Sequence, residues 1–319
     1  MDFFTDFFTA TELLASIQKA PYIPGRLADP AIFTTRALSG TKLALEEQPL
    51  NDAEILTSTP RGTPSKAATL ERRKVHTFET AHYRKDGGVY ADEVLNMRAV
   101  GVTSARESII SRRDEVIAKL RRDIDLTHES LRMACVNSPS NVFGSAPAAA
   151  AVGFGASDSA IRSAIFNNIT KPLESALKGI PYSGIVALCD DTFWASLIES
   201  KTIRETYLNQ SAANSLRTQT PMESFSYAGI QWERYRGTGS TVISSGTAKI
   251  IPLGIPDLFI QAFAPADTLS SVGAGAMGTP YYAQAYAIDG GDRGWYLEMQ
   301  TNCVMVCTRP TAILTIDLS

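Results

Sequence analysis

Histidine is scarce in this chain: His76, His82 and His128 are the three in 319 residues. His76 and His82 lie among arginines and lysines, a neighbourhood that disfavours imidazolium and supplies no carboxylate to orient a ring. A His-Glu-x-x-His pair, a Walker A loop and a Gly-x-Ser-x-Gly elbow are all missing. Cysteine is almost as rare. Cys135, Cys189, Cys303 and Cys307 are too few and too scattered for a disulfide framework. Cys303 and Cys307 are an even number apart and can share one face of a strand. A metal site needs two further ligands beside them, and the sequence offers none there. The expectation is free, buried thiols with no metal, no cofactor and no catalytic residue.

Long apolar runs are also missing. No stretch reaches the roughly 18 apolar residues that span a bilayer, so no membrane partner is expected. The chain opens Asp2-Phe3-Phe4 with its first basic residue at Lys19, which does not read as a secretory signal. Basic excess is absent as well: 33 acidic residues face 30 basic ones, for a net charge of -3. Phosphate affinity scales with the number of lysine and arginine contacts. A chain whose N-terminal segment carries Asp2, Asp6 and Glu12 does not condense nucleic acid.

What is present is length spread into projecting parts. Residues 1–38 read as an arm. Asp2-Phe3-Phe4-Thr5 is echoed by Asp6-Phe7-Phe8-Thr9. Thr9 and Glu12 fit a capping box opening a short helix with Leu13, Leu14 and Ile17 inward, and Pro21 and Pro24 end it. Exposed phenylalanines are a liability, so Phe4, Phe7 and Phe8 need a covering surface, on this chain or on a neighbour. Residues 39–90 read as a long two-stranded excursion. Thr41 to Glu46 alternates as a strand, and Val75, Thr77 and Phe78 form the return. Acids gather first (Glu46, Glu47, Asp52, Glu54) and bases follow (Arg61, Lys66, Arg72, Arg73, Lys74, Arg84, Lys85). Gly62, Pro64 and Ser65 supply the turn chemistry of a tip. About fifty residues with so few core-grade positions is unusual for an idle loop.

Residues 103–136 carry a long charged helix with Ser104 or Thr103 as cap. Ile110, Ile117, Ile124 and Leu131 repeat every seven, with Leu120 and Ala134 on the same stripe. Arg113 and Thr127 interrupt the stripe, which favours packing on one sheet over a coiled-coil dimer. Neither this helix nor the excursion is expected to satisfy itself fully within one compact monomer. Residues 137–157 read as a linker or small hairpin, and a helix runs from Ser157 or Asp158 to Lys178. Gly184–Cys189 reads as a buried strand, and Asp190, Asp191 and Thr192 cap the helix after it. Further strands over Phe225–Tyr235 and Lys249–Phe263 complete a mixed α/β domain over 183–290. The chain is α+β, and its last segment, with strands on both sides of Arg309-Pro310, is expected to return to the first domain. Gly273 to Gly278 spells GxGxxG, but Pro280 and two tyrosines follow where a dinucleotide site needs a helix start, so a surface loop is the better reading.

Six short tags stand in order: Tyr22-Ile23-Pro24-Gly25-Arg26-Leu27, Thr59-Pro60-Arg61-Gly62-Thr63-Pro64, Ala91-Asp92-Glu93-Val94, Tyr281-Tyr282-Ala283, Asp292-Arg293-Gly294 and Cys307-Thr308-Arg309-Pro310. With them, nearly the whole chain resembles the capsid protein E family, the major head proteins of lambda-like tailed phages. The resemblance implies the tailed-phage major capsid protein fold. It assigns residues 1–38 to an N-terminal arm and 39–90 to an extended loop. Residues 91–182 become a peripheral domain with spine helix 103–136, 183–290 an axial domain, and 291–319 return strands of the peripheral domain. It implies a subunit assembling with itself, as hexamers and pentamers, into an icosahedral head around packaged dsDNA. A portal, a scaffold and a decoration protein come with that picture, as do assembly in the host cytoplasm and residence in the virion. Some relatives of the fold weld the loop through a lysine. Lys66 lies near the tip, but no such bond is expected here. Candidate inter-subunit residues are Phe4, Phe7, Phe8, Glu46, Glu47, Arg61, Lys66, Arg72, Arg73, Lys74, Arg84 and Lys85. An encapsulin-like compartment holding protein cargo, and a soluble nucleotide-binding enzyme using 273–278, are the alternatives.

Overall fold

The computed structural model describes residues 25–29, 32–47, 74–99, 105–153, 158–200, 224–237, 239–269, 275–288 and 293–318, with positions 58, 60, 61, 203 and 271. The chain runs from a 3-10 turn Arg26–Ala28 through β1 Phe33–Ala37, β2 Lys42–Glu47, β3 Lys74–Glu79 and β4 Ala81–Tyr90 into α1 Ala91–Ala99 and α2 Ala105–Asn137. Small strands β5 Ser140–Asn141, β6 Gly144–Ser145 and β7 Ala150–Ala151 follow. Helix α3 Asp158–Ile165 passes through a π-helical turn, Phe166–Thr170, into α4 Lys171–Leu177. Then come β8 Gly184–Cys189, α5 Asp191–Glu199, β9 Ser224–Tyr227, β10 Ile230–Arg234, β11 Thr247–Leu253 and β12 Phe259–Phe263. The chain ends with β13 Tyr282–Ile288, β14 Gly294–Cys307 and β15 Leu314–Asp317.

Two sheets dominate the described residues. In the first, β14 is the axis. Its 14 residues pair antiparallel with β4 and β13 along one half and with β12 along the other, and β1 joins β12 in parallel. The second has the order β7-β15-β11-β8-β10-β9. Its middle strand Gly184–Cys189 is buried along nearly its whole length, as an unbroken apolar run between two faces should be. The Asp190 carboxylate accepts from Thr192 N at 3.0 Å and opens α5, whose Phe193, Trp194 and Leu197 go inward.

Helix α2 lies across β4 and β14. Ile117, Leu120 and Ile124 meet Val89, Leu297 and Met299 beneath it. Burying each of those aliphatic side chains contributes about 1.5–3 kcal/mol, enough to hold a helix whose remaining surface is mostly charge. The Arg112 fork onto both oxygens of Glu93, at 2.9 and 3.0 Å, pins α1 against it. The helix is therefore covered by the chain's own sheet, contrary to the expectation that it could not satisfy itself.

Three boundaries differ from the sequence reading. β4 belongs to the first sheet, because its ten residues find a ten-residue partner in Gly294–Cys303. β12 and β13 leave the 183–290 segment to flank β14. β15 goes the other way and pairs with β11, so the tail strengthens both sheets. The stripe on α2 also shifts. Leu131 is half-buried and Ala134 exposed, while Arg113, His128, Glu129 and Arg132 are buried. The cause is that α2 leaves the first sheet in its second half and crosses the joint between the two.

That joint is polar. Glu129 Oε1 accepts from the Leu27 amide at 3.2 Å and from Tyr235 Oη at 3.0 Å, and Glu129 Oε2 accepts from Arg132 at 3.4 Å. Arg132 donates through Nε and Nη2 to Gln261 Oε1 at 3.0 and 2.9 Å, and Gln261 donates on to Thr35 Oγ1 at 2.6 Å. Arg26 forks onto Glu233 at 2.5 and 3.1 Å. The turn at 25–29, helix α2 and strands of both sheets thus meet in one network. Gly25 leaves room for it: a Cβ there would fall 2.2 Å from the Glu129 carboxylate, which would have to shift and disturb these hydrogen bonds. Beside it His128, between the rings of Phe263 and Tyr281, shares a 2.9 Å hydrogen bond with Thr301 Oγ1. Burial, with Arg132 nearby, pushes the imidazole down to about 4. Burial pushes the Asp125 carboxyl up against the opposing hydrogen bond from Tyr281. At the end of α2, Lys249 donates to the Asn137 carbonyl at 2.8 Å and to Thr315 Oγ1 at 2.9 Å, placing an ammonium on the negative end of the helix.

Two predictions follow from the joint. Glu129→Ala leaves Arg132 buried without its acid and should cost about 3–5 kcal/mol in urea unfolding of the unassembled subunit. A Glu129→Gln variant, which keeps an acceptor, should cost less. His128 is neutral in the fold, so its contribution is complete above the unfolded value of 6.5 and is lost as pH falls towards about 4. The loss should run at about 1.4 kcal/mol per pH unit at most across that window. His128→Gln should flatten the stability-pH curve between those limits, a slope read directly from urea midpoints at successive pH values.

Candidate functional site

Strands β2 and β3 form an antiparallel ribbon in register from Lys42 opposite Glu79 to Glu47 opposite Lys74. The period of two sorts its side chains. Leu43 and Leu45, with Phe78, face the body and meet Ile260, Ala262 and Val306 of the first sheet. Phe143 from the β5–β6 hairpin closes the cluster, with ring centroids 5.9 Å from Phe78 and 5.3 Å from His76. The outer face carries Lys42, Ala44, Glu46, Val75, Thr77 and Glu79, all exposed. Lys42 and Glu79 pair there at 3.1 Å, an exposed contact worth little. The base of the excursion is thus packed on its own subunit, and one full face of it is open.

The candidate interface residues separate into three groups. Glu46 and Lys74 are exposed on the ribbon, Glu47 lies opposite Lys74 in register, and Arg61 is exposed between the two strands in sequence. Arg84 and Lys85 are not on the ribbon. They sit on β4, where Arg84 pairs with Glu298 at 3.4 Å and Lys85 with Asp123 at 2.7 Å. Their charges meet acids of the same chain, because alternate residues of β4 point to opposite faces of the sheet, Lys85 to the face under α2 and Arg84 to the face where Glu298 of β14 lies. Phe4, Phe7, Phe8, Lys66, Arg72 and Arg73 lie outside the described residues.

A second open surface was not legible beforehand. The face of the first sheet turned away from α2 carries Tyr90, Tyr286 and Tyr296, with 42%, 48% and 43% of each exposed. Tyr286 and Tyr296 are cross-strand neighbours, and the Tyr90 and Tyr296 rings meet edge to face at 6.2 Å. The hydrogen bond with Tyr296 raises the Tyr90 phenol above its usual value. Large, stiff, amphipathic rings of this kind are enriched where proteins meet. Nothing in the spacing of Tyr90, Tyr286 and Tyr296 marks them as one surface, since it takes the pairing of three strands, one of them distant in sequence, to bring them together. A cleft of about 680 Å³ opens beside the joint, between Arg122 and Leu126 of α2 and the Arg234–Arg236 end of β10. Two of its bases are paired, Arg26 with Glu233 of the cleft wall and Arg234 with Asp191 outside it at 2.7 Å.

The GxGxxG stretch leads into strand β13 and not into a helix. Its last glycine is pinned. Gly278 N donates to Leu38 O at 2.8 Å, and a Cβ there would fall 1.9 Å from the Phe263 carbonyl oxygen. That glycine serves a close backbone approach, so this end of the stretch is packed and is not the free surface loop expected. All four thiols are free, with Cys135 half-buried and the others buried. Burial pushes Cys303 up to about 11 and Cys307 up to about 12, which leaves them protonated and unreactive at neutral pH.

The comparisons agree with this architecture. A family model described as phage major capsid protein E matches residues 9–318. No curated protein matches the chain. Among solved structures, the capsid of Ralstonia phage GP4 is similar at 12% identity and a TM-score of 0.56, over 94% of this chain and 89% of that one. The mature capsid of bacteriophage PhiM1 is similar at 10% identity and a TM-score of 0.55, over 93% and 88%. The capsid of cyanophage P-SCSP1u follows at 10% and 0.51, over 89% and 86%. Sheets, ribbon and long helix together are the tailed-phage major capsid fold. The chain belongs to the phage major capsid protein E family and is a structural subunit of a phage head.

Proposed function

We propose that this subunit closes, through hexamers and pentamers of itself, into an icosahedral shell around packaged dsDNA. The observation that carries the reading is the ribbon. It is anchored by Leu43 and Leu45 at its base and leaves its whole outer face without a covering element among the described residues. A neighbouring copy supplies the cover. Each such contact is weak, and closure over many copies makes the sum strong. In this reading residues 1–38 act as the arm, the ribbon and its tip as the extended loop, α2 as the spine, and the six-stranded sheet as the axial domain. Glu46, Glu47, Arg61, Lys66 and the Arg72–Lys74 run make the loop's charge contacts, and Phe4, Phe7 and Phe8 those of the arm. The near-neutral balance of -3 suits a container filled by force, because a basic lining would hold the DNA that must slide past it. A portal, a scaffold and a decoration protein are the further partners, and assembly takes place in the host cytoplasm.

Electron microscopy of the purified protein across salt and concentration should show closed shells, and a population that stays monomeric throughout would end the proposal. Heads from a lysate should hold nuclease-protected DNA. Protein cargo in its place would move the reading to an encapsulin-like compartment. Replacing Arg72, Arg73 and Lys74 together by glutamate should abolish shells while leaving the circular dichroism and unfolding midpoint of the subunit unchanged. Normal shells from that variant would show that these charges are only solvated.

A further inference from the structure

An open sheet ends in edge strands, and each turns backbone N–H and C=O groups outward with no strand to answer them. Nearly every such edge among the described residues is guarded against an added strand. β4 carries Arg84, Lys85 and Asp86 in succession and then Gly87 and Gly88. β1 carries Arg36, and the ribbon strands carry Lys42, Glu46, Glu47, Lys74 and Glu79. β7 and β9, the edges of the six-stranded sheet, are two and four residues long. Charge and shortness are the means by which sheet edges refuse a second chain.

β13 is the exception. It flanks β14, and no strand among the described residues pairs with its outer edge. Its seven residues, Tyr282 to Ile288, hold no charge, no proline and no glycine. The strand is also held firmly. It stays in register with β14 from Gln300 to Gly294, Tyr282 Oη accepts from Thr279 N at 2.8 Å, and Ala283 and Ala285 pack on the apolar cluster beneath α2. The larger side chains share the other face, where Tyr286 Oη donates to Gln284 Oε1 at 2.5 Å.

The order of residues says what this edge fits. Tyr282-Ala283-Gln284-Ala285-Tyr286 reads the same in both directions. Antiparallel pairing of the strand with its own copy, centred on Gln284, sets each Tyr282 opposite a Tyr286, each Ala283 opposite an Ala285, and Gln284 opposite Gln284. Alanines meet alanines on the face held by α2, rings meet rings on the open face, and no like charges are brought together. The rings extend the row that Tyr296 and Tyr286 already form across β14 and β13.

We propose that β13 pairs with β13 of a second copy about a two-fold axis, making one continuous sheet of two subunits. The inference rests on the shell reading above and deepens it. Head-to-tail contacts close rings of subunits, and joining one ring to the next across a two-fold takes a self-complementary surface of this kind.

Two readouts test the pairing. In Gln284→Cys the two introduced thiols face each other, with Cα atoms about 4.5–5.5 Å apart, inside the span of a disulfide. Mild oxidation of its shells should give covalent dimers on a non-reducing gel. Wild type, whose own thiols are buried or half-buried, should give none. Ala287→Cys should give none either, because its counterpart lies six residues along the pair, about 20 Å away. In the second readout, Gln284→Lys and Gln284→Glu each bring like charges together and should lift the threshold concentration for shells about tenfold or more. An equimolar mixture of the two should assemble near the wild-type threshold, because opposite charges then meet. Absence of dimers from Gln284→Cys shells overturns the proposal, as does equal dimer yield from Ala287→Cys or a mixture no better than its components. Should the charged variants fail to fold, the cysteine result decides alone. If wild type forms no shells, it is the shell reading that fails, and oxidation of concentrated Gln284→Cys subunits then judges the pairing by itself.

Discussion

One buried carboxylate, that of Glu129, sets the geometry on which the other parts depend. It sits on α2 where the helix passes from the first sheet to the second, and its oxygens take donors from the 25–29 turn, from Tyr235 after β10 and from Arg132 on its own helix. A charge in that position is costly to desolvate and weak as a source of net stability. What it does supply is exclusivity. Donors on three elements must arrive at fixed directions, or the charge is left unanswered. Apolar packing alone would tolerate α2 rotating or sliding by part of a turn, because Ile117, Leu120 and Ile124 are a greasy stripe without direction. The Glu129 network removes that tolerance, and the Lys249 contact at Asn137 does so again at the helix end.

The two open surfaces follow from this fixed joint. With α2 held on one face of the first sheet, the face with Tyr90, Tyr286 and Tyr296 turns outward. With β12 held by the Arg132–Gln261–Thr35 chain of hydrogen bonds, the apolar patch of Ile260 and Ala262 is placed where the ribbon's Leu43 and Leu45 can reach it. The ribbon therefore leaves the body at a set angle. A shell subunit needs this, because an error in direction at the base of a long arm grows with distance from it.

Much of the architecture is legible in the sequence because period and punctuation dominate there. The alternation from Lys42 to Glu46, the apolar run Gly184–Cys189 with its Asp190 cap, and the break at Arg309-Pro310 appear in the structure where the residues indicate. The 33-residue helix is as long as its charge pattern implies. Sheet membership is another matter. Nothing local in Phe259–Phe263 or Leu314–Asp317 says which sheet will take it, since pairing is decided by partners distant in sequence. The stripe read on α2 packs on one sheet as expected at Ile117, Leu120 and Ile124, and gives out at Leu131 and Ala134 for a related reason. Arg113, read as an interruption, continues the buried face, and so does His128 beside Thr127, because their polar atoms are answered by Asp114 and Thr301. Hydrophobic periodicity detects a buried face only where burial is apolar. The same blindness hid Arg84 and Lys85, which look like loop charges until β14 brings Glu298, and α2 brings Asp123, to meet them.

The weakness of the exposed contacts bears on how such a subunit avoids assembling wrongly. If every exposed surface were strongly adhesive, copies would stick in any register. Here the ribbon's outer face is mixed and weak, with Lys42 and Glu79 neutralising one another in plain solvent. Affinity has to come from many such contacts made together, a condition met only in the closed arrangement. Directional groups then decide among arrangements of similar area, because a misplaced guanidinium or phenol loses its hydrogen bonds to water without gaining replacements. Rigid joints inside the subunit and modest, oriented contacts outside it are therefore complementary halves of one requirement: the body must not adjust to rescue a wrong neighbour.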